Sequence, residues 1–184
     1  TGHALAYAGL DPTVINGGKI KNFAAAGNPG NTRIGRSGII VVESDESDGS
    51  IVRYRPEVAI ITNITLDHKP LPELRELFSE FIHNTSGLVV INADCPEASS
   101  LDRSGKRCVT FSLGKNAAGI VAENIVLEAF GSSFSAAGTD WNLKVPGLHN
   151  IANALACIAV CEHFGVSSGV AKEALESFSG IGRR

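Results

Sequence analysis

Three continuous apolar runs constrain the fold of this chain most strongly. They cover Gly38–Glu43, Glu57–Thr62 and Gly87–Asn92, and none of them alternates between apolar and polar residues. Runs of this kind are typical of parallel strands that are covered on both faces. Leu71–Asn84 has apolar residues at helical spacing and Pro72 near its start, which predicts an amphipathic helix. The pattern predicts an α/β fold with a doubly wound, mostly parallel sheet.

Further elements are expected on both sides of this region. The first residues are typical of the end of a helix, with Gly9 as its C-cap, and a glycine-rich loop with a short strand at Thr13–Ile15 follows. Beyond the third apolar run, the sequence predicts a short helix at Asp94–Asp102 and a strand at Arg107–Ser112.

The second half of the chain has a different pattern of apolar and polar residues. Short apolar segments separated by Gly and Ser predict a small antiparallel β appendage, at Ile120–Leu127, Gly131–Ala136 and Asp140–Val145. A strongly apolar helix is predicted at His149–Phe164 and closed by Gly165. Ser167 or Ser168 is expected to cap a last helix that ends at Phe178.

Composition narrows the classes of function. The 184 residues are 43% hydrophobic and 19% charged, which suits one globular domain with a sizeable core. The net charge of −3 gives no basic surface for nucleic acid, and no apolar run is long enough to span a bilayer. The cysteines lack paired zinc spacing, so we expect buried thiols in a reducing, cytoplasmic compartment: Cys95, Cys108, Cys157 and Cys161.

The clearest chemical motif follows the first apolar run, where the strand leads into the acidic sequence ESDESD. Ligands in open α/β sheets collect beyond the carboxyl ends of strands, and Mg²⁺ takes one or two carboxylates together with phosphate and water. Glu43, closest to the strand end, is therefore the candidate metal ligand. A solvated acidic turn is the alternative. Asp45, Glu46 and Asp48 fit turn-forming or supporting roles better.

A second apolar strand delivers Asp67 and His68 at its carboxyl end. Two strand ends that converge on oxygen and nitrogen ligands predict a metal–nucleotide site. His68 can ligate a metal or contact a phosphate, but imidazole is a poor first choice for Mg²⁺. A histidine held by a loop hydrogen bond is the alternative.

Two asparagines stand near the start of the long apolar helix. Asn150 and Asn153 are three residues apart and share a helix face, and an Asn amide can pair with the N6/N7 edge of adenine. The alternative is that Asn150 caps the helix and Asn153 is merely polar. The sequence has no G-x-x-x-x-G-K-[ST] phosphate loop, and Gly17–Gly18–Lys19 is interpreted as a glycine turn.

Together these segments resemble the central domain of the Mur ligases, the ATP-dependent enzymes that build the peptidoglycan stem peptide. The branch that joins L-alanine to UDP-N-acetylmuramate is most similar. The branch that attaches recycled tripeptide usually carries tyrosine where Ser47 stands, which ranks it second. The similar segments, specific as an ordered set, are GLDPTVINGG (Gly9–Gly18), VVESDESDGS (Val41–Ser50), RPEVAIITNITLDH (Arg55–His68), VPGLHNIANALA (Val145–Ala156) and GIGRR (Gly180–Arg184).

The resemblance implies ligands and roles at the matching positions. Glu43 would hold the Mg²⁺ that bridges the phosphates of ATP, and His68 would ligate a second Mg²⁺. The partners would be UDP-N-acetylmuramate and an amino acid or short peptide, joined through an acyl phosphate. Adenine and phosphate would be contacted by residues from the last part of the chain: His149, Asn150, Asn153 and Arg184, or its neighbour Arg183.

Two departures from the family pattern bear on these expectations. In the family the phosphate loop lies just upstream of the helix that here begins at Thr1. Residues 1–184 are therefore expected to be an ATP-binding central domain without that loop or the flanking domains, and inactive in isolation. Lys69–Pro70 after the histidine is unusual for the L-alanine branch and leaves the branch open. A non-catalytic nucleotide-binding module is the alternative from another class, and folate polyglutamylation is disfavoured.

Overall fold

The computed structural model describes residues 1–25, 28–114 and 119–182. The chain divides into two compact units. The first combines Thr1–Glu43 with Glu123–Arg184, and the second is Ser44–Ala122. The described strands form three hydrogen-bonded sheets in the first unit and one in the second.

Five α-helices are present in the described residues. They are α1 (Gly2–Tyr7), α2 (Leu71–Asn84), α3 (Pro96–Ser99), α4 (Leu148–His163) and α5 (Ser168–Ser177). Short 3₁₀ helices lie at Lys21–Phe23 and Ser50–Arg53. The strands are β1 (Thr13–Ile15), β2 (Lys19–Ile20), β3 (Thr32–Arg33), β4 (Ile40–Val42), β5 (Val58–Ile61), β6 (Leu88–Asn92), β7 (Arg107–Ser112), β8 (Ile120–Val121), β9 (Glu123–Glu128), β10 (Gly131–Ala136), β11 (Thr139–Leu143) and β12 (Ile181–Gly182).

The second unit is built on a parallel sheet in the order β5-β6-β7-β8. Val58 lies opposite Leu88, and Leu88 lies opposite Arg107, so the strands run in register from the same edge. All five residues of β6 are buried, as predicted for a strand covered on both faces. The helix α2 begins and ends as predicted and contributes to the core of this unit. That core contains Ile61, Ile64, Leu74, Ile82, Val89, Ile91, Cys95, Ala98 and Leu101.

The first unit contains a mixed sheet in the order β3-β1-β4, in which β1 and β4 are parallel. One face of this sheet packs closely on α1. A Cβ added at Gly2 of α1 would lie only 2.7 Å from Cγ2 of Val14 on β1. The prediction that the first apolar run is covered on both faces is wrong. Ile40 is 65% exposed and Val42 is 41% exposed, because these residues alternate with Val41 and lie on the sheet face opposite the one that packs on α1.

The antiparallel appendage is confirmed as a three-stranded sheet in the order β11-β10-β9. Phe134 lies opposite Trp141, whose Nε1 donates to the carbonyl of Ala136 at 3.0 Å. The predicted single segment Ile120–Leu127 is wrong as one element. Its first residues form β8, which extends the parallel sheet through the pairing of Phe111 with Ile120.

The helix ends follow the sequence signals. Gly9 has a φ of 79° and follows the C-cap of α1, where Leu10 N donates to Leu5 O at 3.0 Å. Gly165, with a φ of 71°, ends α4 in the same way. The side chain of Ser167 caps α5 by accepting from the Val170 amide.

The predicted α/β class, with a parallel sheet and a separate antiparallel sheet, is therefore confirmed. In the described part of the chain, every helix is too short or too polar to cross a bilayer.

Candidate functional site

Glu43 lies at the paired carboxyl ends of β1 and β4. Its amide donates to the carbonyl of Ile15 at 2.9 Å, which extends the parallel pairing by one step. Its side chain is exposed, and its Oε2 accepts a hydrogen bond from the amide of Gly17 at 2.7 Å. The carboxylate is therefore held in a defined orientation at the strand end, which a purely solvated acidic turn would not require.

The turn that holds Glu43 is formed by Asn16, Gly17 and Gly18. The side-chain amide of Asn16 donates to the carbonyl of Gly18 at 2.8 Å. A Cβ at Gly18 would lie 2.4 Å from Cγ2 of Ile181, so a larger residue here would require the Ile181 side chain to move. The sequence predicts the glycine turn but not its contact with Glu43, since sequence spacing alone does not reveal that β1 and β4 are paired.

The rest of the acidic motif forms local turns. Asp45 Oδ1 accepts from the amide of Ser47 at 2.7 Å, and Asp48 Oδ1 accepts from the amide of Ser50 at 2.8 Å. The Ser50 amide holds the pKa of the Asp48 carboxyl below its usual value. These bonds agree with the turn-forming role predicted for Asp45 and Asp48.

His68 follows β5 in the second unit, on a loop that begins at Asn63. Its Nε2 lies 3.5 Å from Oδ2 of Asp67, and the two side chains are 54% and 66% exposed. The pair therefore presents a nitrogen and a carboxylate oxygen side by side to solvent.

The polar start of α4 contains the residues expected near adenine. Gly147, with a φ of 99°, is the N-cap, so the alternative in which Asn150 caps the helix is wrong. The side-chain nitrogen Nδ2 of Asn150 donates to the carbonyl of Pro146 at 2.8 Å and lies 3.1 Å from Nε2 of His149. His149 and Asn153 are exposed. An adenine ring would have to replace the Asn150 contacts before it could pair with that nitrogen.

The structure describes the two strand ends separately. Glu43 belongs to the first unit and His68 to the second, and each is bonded within its own unit. Their convergence on one ion therefore stays a prediction. Arg184 and Arg183 lie outside the described residues.

The donor atoms suit Mg²⁺ in part. The Glu43 carboxylate and the Asp67 carboxylate offer the hard oxygen ligands that Mg²⁺ prefers, whereas the imidazole of His68 is less suited. Across residues 1–25, 28–114 and 119–182, no three His, Cys, Asp or Glu side chains are grouped closely enough to hold a metal.

Comparison with known families decides what kind of chain carries these features. The family described as the Mur ligase middle domain matches residues 35–161. The chain belongs to the Mur ligase family. The match includes Glu43, His68 and the start of α4, so the features derived from strand ends and helix starts all lie inside this Mur ligase domain.

Two curated relatives of this Mur ligase chain have similar identities. UDP-N-acetylmuramate–L-alanine ligase of Anaeromyxobacter dehalogenans is 39% identical over 194 residues, which cover 99% of this chain and 41% of that protein. The protein of the same name from Solibacter usitatus is 38% identical, with 98% of this chain and 40% of that protein covered. The chain thus spans about two fifths of the length of these relatives.

Solved structures of Mur ligases are similar throughout the chain. UDP-N-acetylmuramate–alanine ligase from Thermotoga maritima has a TM-score of 0.85 and 32% identity, and the match covers 100% of this chain and 42% of that one. UDP-N-acetylmuramate:L-alanyl-γ-D-glutamyl-meso-diaminopimelate ligase from Neisseria meningitides has a TM-score of 0.80 and 27% identity, with 98% and 61% covered.

Proposed function

We propose that this chain is the ATP-binding middle domain of a ligase that joins L-alanine to the carboxylate of UDP-N-acetylmuramate. The observation that carries the proposal is the likeness over nearly the whole chain to relatives named for that reaction, at 39% identity. The orientation of Glu43 by Gly17 supports it, because a fixed carboxylate at a strand end suits a cation beside a triphosphate.

The proposed reaction has two steps. A carboxylate oxygen of UDP-N-acetylmuramate attacks the γ-phosphorus of ATP, ADP leaves, and an acyl phosphate forms. The amino nitrogen of L-alanine then attacks the acyl carbon, which forms the amide and releases inorganic phosphate. Such reactions depend on positioning of the reactants and on neutralisation of the phosphate charge.

The chain contributes orientation and charge to these steps. Glu43 and His68, with Asp67 beside it, would hold Mg²⁺, which when bound neutralises charge on the phosphates. His149, Asn150 and Asn153 would contact the adenine ring, and Arg184 a phosphate. The glycine N-cap of α4 makes no side-chain hydrogen bond, and the polar side chains of His149 and Asn150 lie in the first turn of the helix.

A second candidate is the ligase that attaches a recycled tripeptide to UDP-N-acetylmuramate. The similarity to the Neisseria enzyme, with a TM-score of 0.80, favours this candidate. The serine at position 47, where that branch usually has tyrosine, argues against it.

Amide formation by the full-length protein tests the proposal. We expect ATP-dependent release of phosphate with UDP-N-acetylmuramate and L-alanine, and far less with the stem tripeptide. The reverse preference would identify the second candidate. Nucleotide binding without release of phosphate for either acceptor would indicate a non-catalytic module.

A further inference from the structure

The loop that carries His68 is anchored at its first residues to the turn between β6 and α3. This loop leaves β5, exposes Asn63 and then buries Ile64, which is 4% exposed and belongs to the core of the second unit. Asp67 and His68 are exposed again. The position of the loop therefore depends on what holds Asn63 and Ile64.

Cys95 contacts both backbone polar groups of Ile64. The amide of Ile64 lies 3.3 Å from Sγ of Cys95, and that sulfur lies 3.7 Å from the carbonyl oxygen of Ile64. Cys95 is 8% exposed and is the N-cap of α3. A buried backbone group without a partner is costly, so this thiol stabilises the loop in its observed position.

Asn92 provides a second, independent contact. It is the last residue of β6 and is 7% exposed. Its Nδ2 donates to Oδ1 of Asn63 at 3.4 Å, and its Oδ1 accepts from the amide of Asp94 at 2.9 Å. The side chain therefore joins the loop after β5 to the turn after β6.

The same turn is fixed on its other side to the end of β7. Asp94 accepts from the hydroxyl of Ser112 at 2.7 Å and from the amide of Leu113 at 2.6 Å. Ser112 is fully buried. A chain of hydrogen bonds thus crosses the carboxyl ends of three neighbouring parallel strands, and buried networks of this kind restrict local geometry.

The other end of the loop is also fixed. Pro70 is the N-cap of α2, and its carbonyl accepts from the amide of Leu74, which is 1% exposed. His68 therefore lies on a short exposed span between the buried residue Ile64 and the first turn of α2. The Ile64 end is the one that is held by polar contacts from the turn after β6.

We propose that Cys95 and Asn92 are positioning residues that hold the Asn63–His68 loop so that His68 is presented for metal binding. The proposal rests on the proposed function for the role of His68, whereas the anchoring of the loop stands on the contacts alone. Neither residue touches a reacting group. Both act through the backbone and side chain at the start of the loop.

Cys95→Ala tests this inference in the full-length protein, with Cys108→Ala as a matched control. Cys108 is half-buried on β7 and packs against the same core, but no hydrogen bond joins it to the loop among the described residues. Two readouts are needed: the ¹H–¹³C signal of the His68 ring, and the Mg²⁺ concentration that gives half-maximal turnover. The free energy of unfolding is measured for each variant.

We expect Cys95→Ala to shift the His68 ring signal and to raise the half-maximal Mg²⁺ concentration about tenfold, as for other supporting residues of metal sites. Cys108→Ala should lower stability without changing either readout. Cys95→Ser should restore both in part, because its hydroxyl can donate and accept at Ile64. If Cys95→Ala does not fold, Asn92→Asp, which keeps the acceptor for Asp94, should show the same changes to a smaller degree.

The inference is overturned if Cys95→Ala loses stability while the His68 signal and the Mg²⁺ dependence stay at their wild-type values. A shifted signal with unchanged Mg²⁺ dependence would also overturn it, because the loop would move without consequence for the metal. Failure of the proposed function can be distinguished from failure of this inference. In that case the wild-type protein would form no amide, whereas the His68 ring signal would still show whether Cys95 holds the loop.

Discussion

At the scale of single residues, the orientation of Glu43 separates this carboxylate from its acidic neighbours. Its Oε2 bonds the Gly17 amide on the adjacent strand end, whereas Asp45 and Asp48 bond the amides two residues ahead of themselves. The Glu43 side chain is oriented by a neighbouring strand end and can bind a ligand beyond the sheet edge, whereas Asp45 and Asp48 stabilise the turn.

Glu43→Ala should therefore abolish ATP-dependent turnover in the full-length protein and leave the fold intact. We expect a loss of about 100-fold or more, since removal of supporting groups alone costs metal sites about 10- to 100-fold. Glu46→Ala, in the same acidic motif, is the control and should retain most activity. Amide formation and circular dichroism are the measurements. Normal turnover in Glu43→Ala would remove this residue from the site.

His3 should make stability depend on pH. Burial lowers the pKa of its imidazole below the usual value, and its Nε2 lies 2.9 Å from Oγ of Ser177. The unfolded chain then binds more protons than the folded one, so stability is complete above the unfolded pKa and falls as pH drops through about 6.5 towards the folded value.

The urea midpoint of wild type should fall between about pH 7.5 and pH 5 more steeply than that of His3→Gln, which cannot titrate. Equal slopes for wild type and His3→Gln would contradict the prediction.

At the scale of elements, the close approach of two backbone segments explains why position 35 is a glycine. Gly35 follows β3, and a Cβ there would lie 2.0 Å from the carbonyl oxygen of Asp11 and 2.4 Å from the carbonyl carbon of Pro12. Gly38, three residues later, has no atom within 4 Å of such a Cβ.

Gly35→Ala should therefore destabilise the protein by about 1–3 kcal/mol, the usual cost of forcing extra atoms into a packed site. Gly38→Ala should change the free energy of unfolding far less, because its Cβ meets open space. Urea unfolding of both variants measures the difference. A stability for Gly35→Ala equal to that of Gly38→Ala would contradict the described contact.

Elements with a strong periodic pattern could be predicted from the sequence. The helix α2 and the strands β1, β7 and β10 begin and end at the predicted residues. The parallel pairing of the second unit also follows from its continuous apolar runs. Exposure of β4 could not be predicted, because an apolar run indicates a strand but not which face of its sheet is covered.

The residues of the candidate site could be predicted from the sequence, but the contacts that hold them could not. Strand ends and helix starts point to Glu43, His68 and Asn150 because those places expose polar groups in any α/β fold. The contacts of Gly17 with Glu43 and of Cys95 with Ile64 join residues far apart in the sequence, and no local pattern encodes them.

At the scale of the whole molecule, the family is established, and the proposed metal ligands come from both units. Residues 35–161 match the Mur ligase middle domain, and this stretch includes one strand end from each unit. We propose that both Glu43 and His68 are ligands of the Mg²⁺ that is bound with ATP.

Paramagnetic broadening by Mn²⁺ tests that claim most directly. The full-length protein, labelled at Glu and His side chains, is titrated with Mn²⁺ in the presence of a non-hydrolysable ATP analogue. The account predicts that the Glu43 signal and the His68 signal both broaden before Mn²⁺ reaches saturation. Broadening of one signal while the other stays sharp at saturation would contradict it.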